Sequence, residues 1–314
     1  MLHVTNGESV HIPETGLAGD VVYWMDVLHE GPVPGALTLQ QLSEVRAQFI
    51  AGLGWGPEEE VRAGFQQRDL DLGRYHEHEE VVLWFEHDLF DQLQLLQILD
   101  WFSLRDLSRT KLSLICIGDF PGIGRFTGLG QLQPDQLLSL FAGRRPVTRD
   151  QMRLAVEGWM AFCSDNPVDI ELLMERGVSA LPYLKGALVR HVQQFPSSIN
   201  GLSRSEQQIL SLVSSGIETF TELFQAEQAM EERVFMGDTV FRMVLERMCG
   251  GPSPWVEKDA ERFLITPAGY EVQGGNKDAV ALNGIDRWLG GVHLCGAEAE
   301  WRWDDRTRRL ARRS

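Results

Sequence analysis

The chain contains no apolar run of membrane-spanning length (about 18–20 residues), so no transmembrane helix is expected. Its four cysteines, Cys116, Cys163, Cys249 and Cys295, make neither a CxxC pair nor a closely spaced framework, which excludes a small disulfide scaffold and points to reduced, mostly buried thiols. Basic residues are scarce: 29 Lys and Arg stand against 45 Asp and Glu, a formal net charge of -16. Such a balance opposes a broad phosphate-binding footprint and an anionic membrane surface, leaving small molecules, cations and protein partners as the expected ligands. Repeats and low-complexity tracts are absent. No positively charged leader precedes the first apolar segment, so the expected address is the cytoplasm.

With 314 residues the chain is long for one core, and its 43% apolar content suffices for two or three globular units. Strand-like segments fall at residues 2–5, 20–25, 81–85 and 111–117, separated by helical patterns at 39–53, 58–69 and 89–102. This alternation predicts an α/β domain over residues 1–145, an open parallel sheet with flanking helices, Rossmann-like or flavodoxin-like. The roughly 55 residues between the second and third strands exceed one crossover helix, which predicts a helical insert near residues 39–75.

The third strand ends in Glu86-His87-Asp88 just as a helix begins, with Asp91 in its first turn. In open α/β sheets ligands bind outside the carboxyl ends of the strands, which makes these four residues candidates by position as well as chemistry. A second acidic set, Asp26, His29 and Glu30, follows the second strand, and Asn6-Gly7-Glu8-Ser9 follows the first. Carboxylate and imidazole groups suit a divalent cation: Zn or Mn with histidine, Mg with carboxylates alone. The expected roles are Asp88, Asp91 and His87 as metal ligands, and Glu86, His87, Asp26 and His29 as catalytic groups. Asn6, Gly7, Glu8, Ser9, Glu30 and Arg125 are expected to bind substrate, Arg125 from the glycine-rich loop at 118–130. The same Asp88 and Asp91 also read as an N-cap and a first-turn carboxylate favoured by the helix dipole, a purely structural alternative.

Further along, residues 146–200 read as a helical connector with breaks at Asn166-Pro167 and Leu181-Pro182. Ser203 and Glu206 form a capping box that opens the first of three helices, and two short strands around a charged turn follow near 254–266. That order predicts a winged-helix-like domain over 201–275, followed by a hairpin and a basic tail over 276–314. Within 201–275 there are 6 Lys or Arg against 12 Asp or Glu, a poor composition for reading DNA. A protein partner or self-association is therefore expected of this domain before nucleic acid.

Several segments together resemble a bacterial family, the domain of unknown function eighteen thirty-five, with its commonly associated C-terminal region. They are His3-Val4-Thr5-Asn6-Gly7-Glu8-Ser9, Trp24-Met25-Asp26-Val27-Leu28-His29-Glu30-Gly31-Pro32, residues 86–92, Asn200-Gly201-Leu202-Ser203-Arg204-Ser205-Glu206, and the tryptophan-bearing pair at 288–294 and 301–304. Glu8 stands where that family's first motif usually has Asp. The resemblance implies no activity. From the residues themselves, the leading expectation is a metal-dependent hydrolase or group-transfer enzyme acting on a small substrate, phosphorylated ones included. The competing expectation is a metabolite-sensing regulator or an adaptor.

Overall fold

The computed structural model describes residues 1–313 and divides them into two compact units. The first comprises Met1–Leu188 together with Gly290–Val292; the second comprises Val189–Leu289 and resumes at His293.

In the first unit the strands are β1 (Leu2–Thr5), β2 (Asp20–Tyr23), the two-residue β3 (Gly31–Pro32), β4 (Glu80–Glu86), β5 (Lys111–Ile117) and β6 (Arg145–Pro146). Five of them form one sheet in the order β2-β1-β4-β5-β6. The first four run parallel, in registers that pair Leu2 with both Asp20 and Val81, and Glu86 with Ile117. Short β6 closes the edge antiparallel to β5, where Pro146 leaves no ladder donor for a further strand. Helices α1 (Leu39–Gly52) and α2 (Glu58–Gly73) fill the stretch between β2 and β4. The mixed α/β reading therefore holds, with a mostly parallel sheet flanked by helices.

Side chains alternate across a strand, so near-continuous apolar sequence means burial on both faces. On β4, Val82 and Trp84 pack with Ile115, Phe126, Leu129 and Leu137 on one face, while Val81, Leu83 and Phe85 point the other way and are equally buried. Helix α3 (Leu89–Ser103) follows at once and buries twelve of its fifteen residues, so it is enclosed nearly all round rather than amphipathic. Its three buried glutamines each make a specific bond: Gln92 Nε2 donates to Glu86 O (2.6 Å), Gln94 Nε2 to Asp26 O (3.2 Å), and Gln97 Oε1 accepts from Trp24 Nε1 (2.8 Å).

Helix α4 (Pro134–Ala142) precedes β6, and α5 (Arg149–Phe162), α6 (Val168–Arg176) and α7 (Leu184–Val192) follow it. The expected limit near residue 145 and a separate connector over 146–200 do not describe the first unit, which continues to Leu188. The reason is packing: a side chain added at Gly158 of α5 would meet Leu96 of α3 at 2.9 Å, so α5 lies directly on the central helix. Gly31 is required for a similar reason, since its φ of +81° is left-handed and a Cβ there would fall 2.4 Å from the Phe49 ring.

The second unit contains α8 (Arg204–Ser214), α9 (Phe220–Met230) and α10 (Asp238–Met248), then the antiparallel pair β7 (Val256–Asp259) and β8 (Arg262–Ile265). Ser203 and Glu206 make the reciprocal capping box at the start of α8. An antiparallel bridge joins Thr219 to Arg262. Helices α11 (Pro267–Gln273) and α12 (Ala279–Asn283) lead to β9 (Asp286–Gly290), β10 (Val292–Cys295), β11 (Trp301–Asp304) and β12 (Arg309–Arg312). The segment expected as a basic tail is thus largely a strand: β12 pairs with β11, and Leu310 sits opposite Trp303 with both side chains buried.

One buried ion pair ties α1 to the segment after β2. Arg46 and Asp26 are fully buried, with Nη2 2.8 Å from Oδ1, and Arg46 Nη1 also donates to Glu30 O (2.8 Å). Removing one partner strands the other charge without solvent, so Arg46→Ala is expected to lower unfolding free energy by roughly 3–5 kcal/mol in chemical denaturation.

Candidate functional site

The strand order reverses between β1 and β4, because β2 lies to one side of β1 and β5 to the far side of β4. The carboxyl ends of these two neighbours are where a crevice forms in open α/β sheets. Asn6 leaves β1 at this point, and Glu86 and Asp88 leave β4. The two strand ends meet through Asn6 Nδ2, which donates to Asp91 Oδ2 at 2.8 Å.

Three carboxylates converge here. Glu86, Asp88 and Asp91 each offer an oxygen within 4.8 Å of the others, and their exposures are 5%, 3% and 1%. Local structure accounts for their placement. Asp88 has extended backbone and caps α3, its Oδ1 accepting from Asp91 N at 3.1 Å. Asp91 Oδ1 accepts from Glu86 N at 2.8 Å. Glu86 Oε1 accepts from Leu129 N, on the glycine-rich loop, and a Cβ on Gly128 would lie 2.6 Å from Glu86 Oε2. Only glycine lets that backbone come so close.

Electrostatics follow from burial. Desolvation, and then the neighbouring Asp88 charge, push Glu86 up to about 8, against the opposing bonds from Leu129 N and Asn6. Asp91 is raised well above the usual carboxylate range, by burial first and then by Glu86 and Asp88. Nearby Cys116 is pushed up to about 12 by burial, which makes it an inert thiol rather than a nucleophile. Such a group can hold shared protons or a cation. The donors suit a hard divalent ion, being three carboxylates plus the buried Asn6 Oδ1, which has no hydrogen-bond partner. A groove of about 980 Å³ elsewhere in this unit, floored by Leu42, Ala161 and Cys163, contains none of these residues.

The other expected site residues are placed differently. His87 is not among the converging ligand atoms; its ring lies 5.9 Å from that of Phe126 and 6.0 Å from that of Tyr183. Asp26 is held by Arg46, so its carboxylate is neutralised within the fold. His29 is buried edge-on to Phe90 at 6.1 Å, and Glu30 is buried with its carbonyl on Arg46. Gly7 is buried and its carbonyl accepts from Thr5 Oγ1, whereas Glu8, Ser9 and Arg125 are exposed. Sequence reasoning did not find Gly128, Leu129 or the glutamines of α3. The first two are anonymous within a glycine-rich loop. Polar residues spaced through an otherwise apolar helix were a signal for the glutamines.

Because Glu86 is raised in the folded protein, its neutral form is the one the fold prefers. Stability from this group is present below its unfolded value near 4.5 and is lost as pH rises through about 8. Melting temperature in the presence of a chelator is expected to fall across that interval, and Glu86→Gln is expected to flatten the fall. Gly128→Ala should destabilise by about 1–3 kcal/mol at any pH, as overpacking does, measurable in the same melts. No protein-family model, curated protein or solved structure matches the chain.

Proposed function

We propose that the first unit is a metal-dependent hydrolase or group-transfer domain, with Glu86, Asp88 and Asp91 holding a divalent cation at the ends of β1 and β4. The observation that carries this reading is the convergence of three buried carboxylates at the reversal of strand order, beside an unsatisfied amide oxygen. An oxygen-only set favours Mg or Mn over Zn. A cation there would supply Lewis-acid polarisation of a substrate oxygen and make a bound water more acidic. The chain's own residues do the rest: Asn6 fixes Asp91, the Leu129 amide fixes Glu86, and Glu86 gives up its proton when the cation binds. The substrate is a small molecule. Counting only the five strands of the main sheet, the order is 2-1-3-4-5, which supports a flavodoxin-like classification. The motifs quoted above support kinship with the domain of unknown function eighteen thirty-five family, which brings no activity with it.

A second reading, a metabolite-responsive regulator, is favoured by one feature of the second unit. Three helices followed by an antiparallel hairpin, with Thr219 bridged to the hairpin at Arg262, support a winged-helix reading of this unit. Arg242 of α10 lies over the Phe220 ring at 3.8 Å, which engages a cation that a DNA-reading helix needs free. A protein contact or self-association suits this module better.

Calorimetric titration with Mg and Mn tests the first reading. One ion per chain is expected, with affinity rising as pH increases through about 8 because bound protons must leave. Asp91→Asn and Glu86→Gln should each weaken binding at least roughly tenfold. Hydrolysis of a generic phosphate ester should depend on the added ion. Absence of cation binding between about pH 6 and 9, on either side of the Glu86 value, would reject the reading.

A further inference from the structure

The second unit holds a pocket of about 420 Å³ whose lining reverses the sign of the chain. Lys277, Arg302, Arg312 and Arg313 face it, with Asp278 as the one acidic member. Arg302 is the informative residue. It sits on β11 between Trp301 and Trp303, and only 3% of it is exposed. Neither Nη1 nor Nη2 has a hydrogen-bond partner. Its nearest counter-charge is Asp278 Oδ1, 3.5 Å from Nη2 and already accepting from Ala281 N at 2.8 Å as the cap of α12.

A buried guanidinium keeps its charge, so its unmet donors are costly unless something fills them. Burial disfavours the charged form of Arg302, and Asp278 only partly offsets this. The remaining cations are arranged around the same space. Lys277 is exposed, Arg312 lies 5.0 Å over the Trp301 ring and 3.7 Å from Glu300, and Arg313 Nη1 reaches Ala297 O at 3.2 Å. Four cations against one lining carboxylate match a multiply charged oxyanion. The planar fork of Arg302 suits paired oxygens on one centre.

We propose that this pocket binds a phosphate group, with Arg302 as the buried ligand and Lys277 and Arg312 as its solvent-facing partners. The site lies wholly within the second unit and does not depend on the carboxylate cluster or on the activity assigned to it.

The test is a thermal and calorimetric titration of the full chain with inorganic phosphate, in chelator, so that a cation on Glu86, Asp88 and Asp91 cannot recruit the anion. At roughly tenfold excess over the dissociation constant, melting temperature should rise by about 2–4 °C above a chloride control of equal ionic strength. Arg302→Gln should abolish the rise. Since that change touches a packed strand, the double variant Lys277→Ala/Arg312→Ala at exposed positions provides a second check. It should weaken phosphate roughly tenfold while leaving the phosphate-free melting temperature unchanged. No rise in the wild type, or a rise that survives in Arg302→Gln, overturns the assignment. Competition by a short DNA duplex would identify backbone phosphate as the source, whereas competition by a small phosphate monoester and not by the duplex would identify a free phosphate ester.

Discussion

Three carboxylates within 4.8 Å of one another and at most 5% exposed cannot all keep their charge unaided. At an effective dielectric near 20, each pair of like charges at that separation costs about 3–4 kcal/mol, and a whole domain is stable by only about 5–15 kcal/mol. The arrangement around β4 answers this constraint in two ways. Backbone and amide donors from Asp91, Glu86, Leu129 and Asn6 take up part of the negative charge. Proton retention by Glu86 and Asp91 takes up more.

The contrast with Asp26 shows why burial of an acid is not by itself a functional sign. Asp26 is as deeply buried as Asp91, yet Arg46 meets it with Nε and Nη2, and that guanidinium also donates to the carbonyls of Val27, Glu30 and Pro32. Its charge is cancelled inside the fold, and the pair fastens α1 beneath the end of β2. The converse holds in the second unit, where Arg302 is buried with a carboxylate nearby but no hydrogen bond to its terminal nitrogens. In both units the informative group is a buried charge whose compensation is incomplete.

Strands and helices of the first unit were legible because short apolar runs of strand length alternate with longer helix-length segments. Residues 111–117 were read as a strand and are one, and 39–53 and 81–85 differ from the observed elements by a residue or two at their ends. The limit of the first unit was not legible, because what attaches α5 to α3 is the absence of a side chain at Gly158. The strand at 309–312 was hidden by its arginines, which point a composition-based reading toward a soluble end although Leu310 packs opposite Trp303. At the site, Glu86, Asp88 and Asp91 were visible as a run of acids after an apolar strand. Their separation from Asp26 was not, since the partner that removes Asp26 from contention lies twenty residues away on another element.

Gly128 shows how a loop with no distinctive sequence shapes the chemistry. The loop after β5 returns over the end of β4, and a glycine there lets one amide reach the Glu86 carboxylate while the chain seals it from water. These effects oppose each other: the amide stabilises the ionised form, and the exclusion of water destabilises it more, so the net shift is upward. The upward shift of Glu86 is thus a balance struck by one short segment of chain, which supplies the donor and excludes the solvent at the same time.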